Sequence, residues 1–279
     1  MASTLVRQHL PYPPHPAPSH TAPPRTRARD WAEIQERMLV PLYEAAYERL
    51  EVGAGTRLLG LGCGSGLALL LAAARGAAVC GVDPDEERLA LARERLGDGG
   101  LESVLTAATV TATAASGFTV VTAFEPLSAL GTDGGADALA ERLTAAAALA
   151  EPGSPVVLAG WGPPERCATS AVLRVGARLA DPMCSPARWR PCGRDDLERL
   201  AQRAGLRPNG SGRVACPFGY ADMDSAVRGL LSTGLFDAAE RATDAVQVRK
   251  EITEALHPYR RQDGTVWMEN VLRYLIARV

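Results

Sequence analysis

The stretch LLGLGCGSG, Leu58 to Gly66, decides the fold of this chain. A hydrophobic run ends abruptly in glycines at positions 62, 64 and 66, and the segment GLALLLAAAR, which is typical of a helix, follows at once. Glycines between a strand and a helix let the backbone turn sharply and approach a ligand closely, and the helix N-terminus offers free N–H groups. The pattern predicts a ligand-binding loop, although glycine at such a turn is also common for packing alone.

The segments after this loop alternate between strand and helix. The predicted strands are TRLLGL, AAVCGVD, a weak LESVLTAAT, GFTVVTAF and SPVVLAGW, and the predicted helices are GLALLLAAAR, PDEERLALARERLG and DALAERLTAAAALAEPG. Strands that alternate with helices at this spacing pair in parallel through right-handed crossovers. The sequence therefore predicts an α/β fold with a doubly wound, mostly parallel sheet.

The regular alternation of predicted strands and helices ends beyond Trp161. Residues 162–190 are rich in proline and are predicted to run over the sheet as an excursion. The segments that follow are a helix RDDLERLAQRAGL, a strand GSGRVACPFGY, helices over 222–232 and 236–256, and a last strand NVLRYLIARV. We expect residues 162–190 and 218–262 to form a cap, which would roof a small-molecule pocket.

The N-terminal segment divides into two parts. Residues 1–29 are rich in proline and lack periodic apolar positions, so a disordered tail is predicted there and a single domain over 30–279. From Asp30, a plausible N-cap, the apolar residues recur at helical spacing, and Pro41 is expected to bend or split that helix.

Composition narrows the classes of partner. Of the 279 residues, 47% are hydrophobic and 22% charged, with a formal net charge of -2. This is typical of an ordinary globular protein, and it argues against a nucleic-acid partner, which a basic surplus would serve. The longest apolar stretch, residues 67–74, is far short of the roughly 20 residues that cross a bilayer. We expect a cytoplasmic protein with a small-molecule partner, no nucleic acid and no membrane.

The six cysteines form no CxxC pair, so no metal site is predicted.

Asp83 strengthens the prediction of a ligand site at the glycine loop. It ends the second predicted strand, from where a carboxylate can accept hydrogen bonds from the hydroxyls of a ribose. The alternative role is an N-cap for the following helix, and both roles can hold together.

The stretches LLGLGCGSGLAL, VCGVD, GFTVVTAF and PGSPVVLAGWGPPERC resemble class I S-adenosylmethionine-dependent methyltransferases, specifically the ubiquinone/menaquinone-biosynthesis-like group of small-molecule enzymes. The resemblance implies a Rossmann-like sheet of seven strands with the last one antiparallel. It also implies S-adenosyl-L-methionine as cofactor and methyl transfer to a small, largely apolar metabolite in natural-product biosynthesis.

Site residues follow from this resemblance and from the chemistry of the cap. The expected cofactor-binding residues are Gly62, Cys63, Gly64, Gly66, Asp83, Pro84 and Phe124. The expected substrate-binding residues, which are aromatic, are Trp161, Phe218, Tyr220 and Tyr259. His257 and Glu165 are the candidate catalytic bases, with a helix-end cap and a solvated loop residue as their respective alternative roles.

Two acids of the family pattern are missing. Gly60 stands where the family has Asp or Glu near the cofactor's ammonium, and the segment LTAATVTATAASG has no acid for the adenine amine. Losing a contact between a carboxylate and an ammonium weakens binding without forbidding it. Two alternatives therefore stay open: a methyltransferase-fold cyclase, and a pseudo-methyltransferase that transfers no methyl and pairs with an active homologue. Whichever holds, the expected assembly is a homodimer or a heteromer with a homologous methyltransferase.

Overall fold

A computed structural model describes residues 23–96, 104–105, 117–124, 135–183 and 192–279. The described strands are β1 (Arg57–Leu61), β2 (Ala78–Val82), β3 (Val104–Leu105), β4 (Val120–Ala123), β5 (Pro155–Trp161), β6 (Arg207–Ala215), β7 (Phe218–Tyr220), β8 (Val266–Met268) and β9 (Val271–Arg278). Seven of them form a central sheet in the order β3-β2-β1-β4-β5-β9-β6. The first five pair in parallel, whereas β9 runs antiparallel to both β5 and β6. The prediction of a doubly wound, mostly parallel sheet with an antiparallel last strand is confirmed.

Helices cover both faces of this sheet. They are α1 (Pro24–Asp30), α2 (Val40–Arg49), α3 (Leu67–Ala74), α4 (Glu86–Leu96), α5 (Gly135–Ala147), α6 (Thr169–Ala180), α7 (Asp196–Arg203), α8 (Met223–Ser232), α9 (Asp237–Ala242) and α10 (Ala245–Leu256). Successive strand residues point to opposite faces, so Leu58 packs in the core under α2 and α3 while Leu59 packs in the core under α5 and α7. Each such buried leucine contributes about 1.5–3 kcal/mol. Among the helices described, none combines the length and apolar character needed to cross a bilayer.

The cap is built from two parts of the chain, helix α6 between β5 and β6 and a longer insertion between β6 and β9. Strands β7 and β8 form a separate two-stranded antiparallel sheet, and α8, α9 and α10 lie between them in the chain. Helix α6 packs against α9 and α10, and Gly176 on α6 faces the ring of Phe236. These elements share one apolar core with α2 and α3, so the cap is packed directly on the glycine-loop side of the sheet.

The cap departs from the sequence prediction in three places. The predicted strand over 210–220 is two strands, because Pro217, which lacks an N–H, separates β6 from β7. The predicted helix over 236–256 is two helices, and the Asp244 side chain caps the second by accepting from the Gln247 N–H at 2.8 Å. Helix α6 was not predicted within the excursion over 162–190.

The N-terminal helical stretch begins earlier than predicted. Residues 1–22 of the predicted tail lie outside the described residues, and residues 24–29 belong to α1. Asp30 caps no helix, and its carboxylate pairs with Arg228 at 3.0 Å, so the prediction of an N-cap is wrong. Hydrogen bonding then changes to a π-helix over Trp31–Gln35 and a 3-10 helix over Glu36–Leu39 before α2, which has Pro41 in its first turn.

The missing acid at Gly60 has a packing explanation. Gly60 of β1 pairs with Gly81 of β2, and the side chain of Leu69 lies over both glycines. A Cβ at position 60 would come within 2.9 Å of Leu69 Cδ2, and one at position 81 within 2.5 Å of Leu69 Cδ1. Because Leu69 is fully buried, an acid at position 60 would require this leucine to move.

Gly81→Ala is therefore expected to lower the free energy of unfolding by about 1–3 kcal/mol, measured by urea denaturation, because the new methyl group overpacks against Leu69. In the double variant Gly81→Ala/Leu69→Ala the loss should be smaller than the sum of the single losses. Gly55→Ala is the matched control, since a Cβ there meets nothing within 4 Å. Equal losses at positions 55 and 81 would contradict this packing account.

Candidate functional site

The loop between β1 and α3 depends on glycine at three positions. Gly62, Gly64 and Gly66 have φ of 64°, 57° and 83°, a left-handed conformation that costs other residues roughly 1–2 kcal/mol each. The N–H groups of Gly62 and Cys63 both donate to the Val82 carbonyl, at 2.7 and 3.0 Å. The loop is thus fastened to the end of β2 by its backbone.

Asp83 completes this attachment. Its side chain is fully buried, with Oδ2 accepting from the Gly64 N–H and Oδ1 from the Asp85 N–H, each at 2.8 Å. Burial raises the pKa of this carboxyl, against the lowering effect of the two backbone N–H groups and the Arg88 cation. Asp85, not Asp83, caps α4, by accepting from the Glu87 and Arg88 N–H groups at 3.0 and 3.2 Å. The alternative role predicted for Asp83 is therefore wrong, and its ribose role stays a prediction.

The N-terminal segment packs on the open face of the loop. A Cβ at Gly64 would lie 2.8 Å from Trp31 Nε1 and 2.9 Å from Glu36 Oε1. The Arg88 guanidinium lies 4.4 Å from the centroid of the Trp31 ring, and its Nη2 donates to the Ser232 carbonyl at 2.9 Å. Only glycine at position 64 leaves room for this arrangement.

Glu36 is a buried carboxylate at the same place. Its Oε2 accepts from Arg95 Nη1 at 2.5 Å and from the Ser65 hydroxyl, and its Oε1 accepts a long 3.4 Å contact from the Leu67 N–H. Burial raises the pKa of this carboxyl, although Ser65 and Arg95 oppose the shift. The sequence analysis missed Glu36, because regular helical spacing does not place it on the apolar face. The π and 3-10 turns alter that spacing.

Two small cavities meet at this segment. The first is lined by the backbone of the glycine loop together with Trp31, Glu36, Leu39, Tyr43, Thr122 and Phe124. The second is apolar and lies under the cap, lined by Trp31, Gln35, Leu39, Phe124, Trp161, Thr169, Phe218, Leu230, Thr233 and Leu235. Each has about 20 Å³ of free space, room for about one water molecule. Trp31, Leu39 and Phe124 form the wall that the two cavities share.

Three buried polar atoms around these cavities have no hydrogen-bond partner among the described residues: Trp31 Nε1, Trp161 Nε1 and Thr169 Oγ1. An indole N–H is only a donor. Leaving a buried polar group unpaired costs about 1–3 kcal/mol, so these groups favour a bound molecule that carries acceptor oxygens.

The structure brings together part of the predicted cofactor set. Gly62, Cys63, Gly64 and Phe124 line the first cavity. Gly66 serves packing, since a Cβ there would come within 2.9 Å of Ala92 Cβ. Pro84 is exposed and lines neither cavity. Residues 106–116, which make up most of the segment LTAATVTATAASG without an acid for the adenine amine, lie outside the described residues.

Two of the four predicted substrate-binding residues lie together. Trp161 and Phe218 line the apolar cavity, with their ring centroids 6.0 Å apart. Tyr220 is buried behind it and donates to Gln35 Oε1 at 2.9 Å, and burial raises its pKa. Tyr259 lies elsewhere, with its hydroxyl 3.2 Å from the Ala168 carbonyl and its ring beside an open surface cleft.

The candidate bases are not brought to either cavity. Both are described residues and both are exposed: His257 follows the end of α10, and Glu165 lies in a 3-10 turn after β5 beside the surface clefts. Their catalytic roles stay predictions without support from this geometry.

Comparison with known proteins identifies the central part of the chain. Residues 58–148 match the family model described as a methyltransferase domain. This part of the chain is therefore similar to a methyltransferase domain. The chain is 44% identical over 72 residues to methyltransferase GfsG of Streptomyces halstedii, a stretch that covers 25% of this chain and 24% of that protein. The alignment thus spans about a quarter of the curated relative.

Solved structures agree with this fold. YjhP from E. coli superimposes with a TM-score of 0.51 at 18% identity, covering 90% of this chain and 98% of that one. A SAM-dependent methyltransferase from Geobacter sulfurreducens, crystallised with S-adenosyl-L-homocysteine, gives 0.50 at 19% identity, covering 90% and 97%. At such identities the likeness shows the shared fold alone, and the ubiquinone-like subgroup stays a prediction.

Thr169→Val is expected to raise the free energy of unfolding of the ligand-free chain by about 1 kcal/mol, because it removes a buried hydroxyl without a partner. Thr56→Val is the matched control: Thr56 is also buried, but its Oγ1 accepts from the Gly53 N–H at 3.0 Å. That variant should lose about 1 kcal/mol. Urea denaturation measures both, and a loss at position 169 equal to that at position 56 would show that the Thr169 hydroxyl has a partner in the protein.

Proposed function

We propose that this chain binds S-adenosylmethionine at its glycine loop and transfers the methyl group to a small, largely apolar metabolite. The observation that carries the proposal is the pair of adjoining cavities, one lined by the glycine loop and one apolar, with a common wall of Trp31, Leu39 and Phe124. A cofactor methyl group bound on the glycine-loop side would be separated from an acceptor under the cap only by these three side chains.

The residues of the loop fit the amino-acid end of the cofactor. Gly64 offers a surface that a single Cβ would fill, and a carboxylate and an unpaired indole N–H lie beside it. For the nucleoside end, Asp83 holds the loop with one backbone contact on each oxygen, and a carboxylate oxygen can accept a second hydrogen bond. The Trp31–Arg88 stack covers this end, so cofactor entry requires Trp31 to move.

The N-terminal segment has the features of a part that moves. Residues 31–39 pass from π to 3-10 hydrogen bonding inside one continuous helical stretch, and such irregular turns mark hinges and functional sites. Trp31 Nε1 makes no hydrogen bond to the described residues in this arrangement, which we call closed. Moving Trp31 away from the loop therefore breaks no hydrogen bond of its indole N–H. Opening this segment would enlarge both cavities, because Trp31 and Leu39 line each of them.

The cofactor supplies an electrophilic methyl group. The chain positions the acceptor molecule and keeps water out of the site. None of the described residues that line the apolar cavity is ionisable. Such a site accelerates transfer by aligning the acceptor and excluding water. Trp161 Nε1 and Thr169 Oγ1 would orient an acceptor molecule through its oxygen atoms. A role in natural-product biosynthesis is part of the proposal and follows from the resemblance alone.

A second candidate is a methyltransferase-fold cyclase, or a partner protein that transfers no methyl. Two observations favour it: Leu69 occupies the space of an acid at Gly60, and side chains of the N-terminal segment fill the cofactor cavity. This alternative keeps the apolar cavity under the cap and needs no cofactor.

Calorimetric titration with S-adenosylhomocysteine separates these candidates. We expect micromolar binding to the wild-type chain and its loss in Gly64→Ala, whose new methyl group would enter the cavity beside Trp31 and Glu36. Gly153→Ala is the matched control, since Gly153 has a similar left-handed φ of 81° but nothing within 4 Å of a Cβ. Binding by Gly64→Ala equal to that of the wild type would place the ligand elsewhere. A folded wild-type chain that fails to bind at millimolar ligand would support the second candidate.

A further inference from the structure

A carboxylate reaches the glycine loop from a different part of the chain than the family pattern expects. Gly60 carries no acid, yet Glu36 lines the same cavity as Gly60, Gly62 and Gly64. Its side-chain Oε1 lies 2.9 Å from the position of a Cβ on Gly64, and the residue is only 1% exposed. A buried charge of this kind is costly unless it is paired, so its position calls for a physical reason.

The contacts of Glu36 account for only one of its oxygens. Oε2 accepts from Arg95 Nη1 at 2.5 Å and from the Ser65 hydroxyl, which fills its two acceptor sites. Oε1 has the Leu67 N–H at 3.4 Å, longer than an ordinary N–H to oxygen bond. Oε1 therefore keeps acceptor capacity next to the cavity.

A complementary donor lies beside it. Trp31 Nε1 is 2.8 Å from the same Cβ position on Gly64, and its residue is 7% exposed. In the part of the chain that the structure describes, this N–H has no hydrogen-bond partner. An anionic acceptor and an N–H donor next to one glycine match the two charged groups of an α-amino acid, an ammonium and a carboxylate. No other pair of features on the described loop offers this combination.

We propose that Glu36 receives the ammonium of the cofactor's amino-acid end, in place of the acid missing at Gly60, and that Trp31 Nε1 donates to the carboxylate of the same group. This inference rests on the proposed function. It assigns the acidic contact to the N-terminal segment, so the segment that closes the cleft also holds the ligand in it.

The test compares two ligands by calorimetry: S-adenosylhomocysteine, which has the amino-acid group, and 5′-methylthioadenosine, which lacks it. Glu36→Gln is expected to weaken binding of S-adenosylhomocysteine roughly 10- to 100-fold, the range for a contact with a charged group. Binding of 5′-methylthioadenosine should stay unchanged. Equal weakening of both ligands would show that Glu36 acts through the fold, and no weakening of either would show that it faces no ligand; each result overturns the inference.

Two further variants keep the test decisive. Arg95→Gln removes a structural partner of Glu36 and leaves the carboxylate, so S-adenosylhomocysteine should still bind. A loss equal to that of Glu36→Gln would indicate a structural role and overturn the inference.

Should Glu36→Gln not fold, the double variant Glu36→Gln/Arg95→Met removes both charges together and is compared in the same way. Failure of both ligands to bind the folded wild-type chain overturns the proposed function as well, and is thereby distinguished from a failure of Glu36 alone.

Discussion

The structure depends on one backbone group, the N–H of Gly64, and on the absence of a side chain beside it. Asp83 accepts from this N–H on one side of the loop, while Trp31 and Glu36 pack against the glycine on the other. The carboxylate holds β2 and the loop together, and the bare Cα admits the N-terminal segment. A residue larger than glycine would disturb both the attachment to the sheet and the closure of the cleft.

Two buried acids lie at the loop, Asp83 at the end of β2 and Glu36 in the N-terminal segment, whereas position 60 on β1 carries no side chain. Gly60 and Gly81 leave the strand ends apolar so that Leu69 can pack on them, and this strengthens the core below the loop. A second acid beside the loop is Glu36 of the N-terminal segment, which Arg95 of α4 keeps paired. The cost of burying that acid is offset by the ion pair and the Ser65 hydroxyl, and the arrangement connects the N-terminal segment with α3 and α4.

Local patterns in the sequence sufficed for the sheet, the glycine loop and the antiparallel last strand, because strand and helix periodicities are regular there. Trp161 and Phe218 could also be predicted as pocket residues, since large aromatic residues near the strand ends tend to face such a space. The role of Asp83 toward the loop, the Glu36 cluster and the unpaired Thr169 hydroxyl could not. Each depends on contacts between segments far apart in the chain, and for Glu36 also on a π turn that no spacing rule anticipates.

Closure of the cleft and the affinity for a ligand are linked. The arrangement described keeps about 20 Å³ free at the loop, so the proposed binding of a nucleoside there requires residues 31–39 to move. The observed dissociation constant is then the intrinsic constant divided by the open fraction. Contacts that favour the closed arrangement, such as the stack of Arg88 on Trp31, would weaken binding because they lower the open fraction. In the proposed role Glu36 keeps its pair with Arg95 in both arrangements, so its contribution to affinity comes from the contact with the ligand's amino-acid group alone.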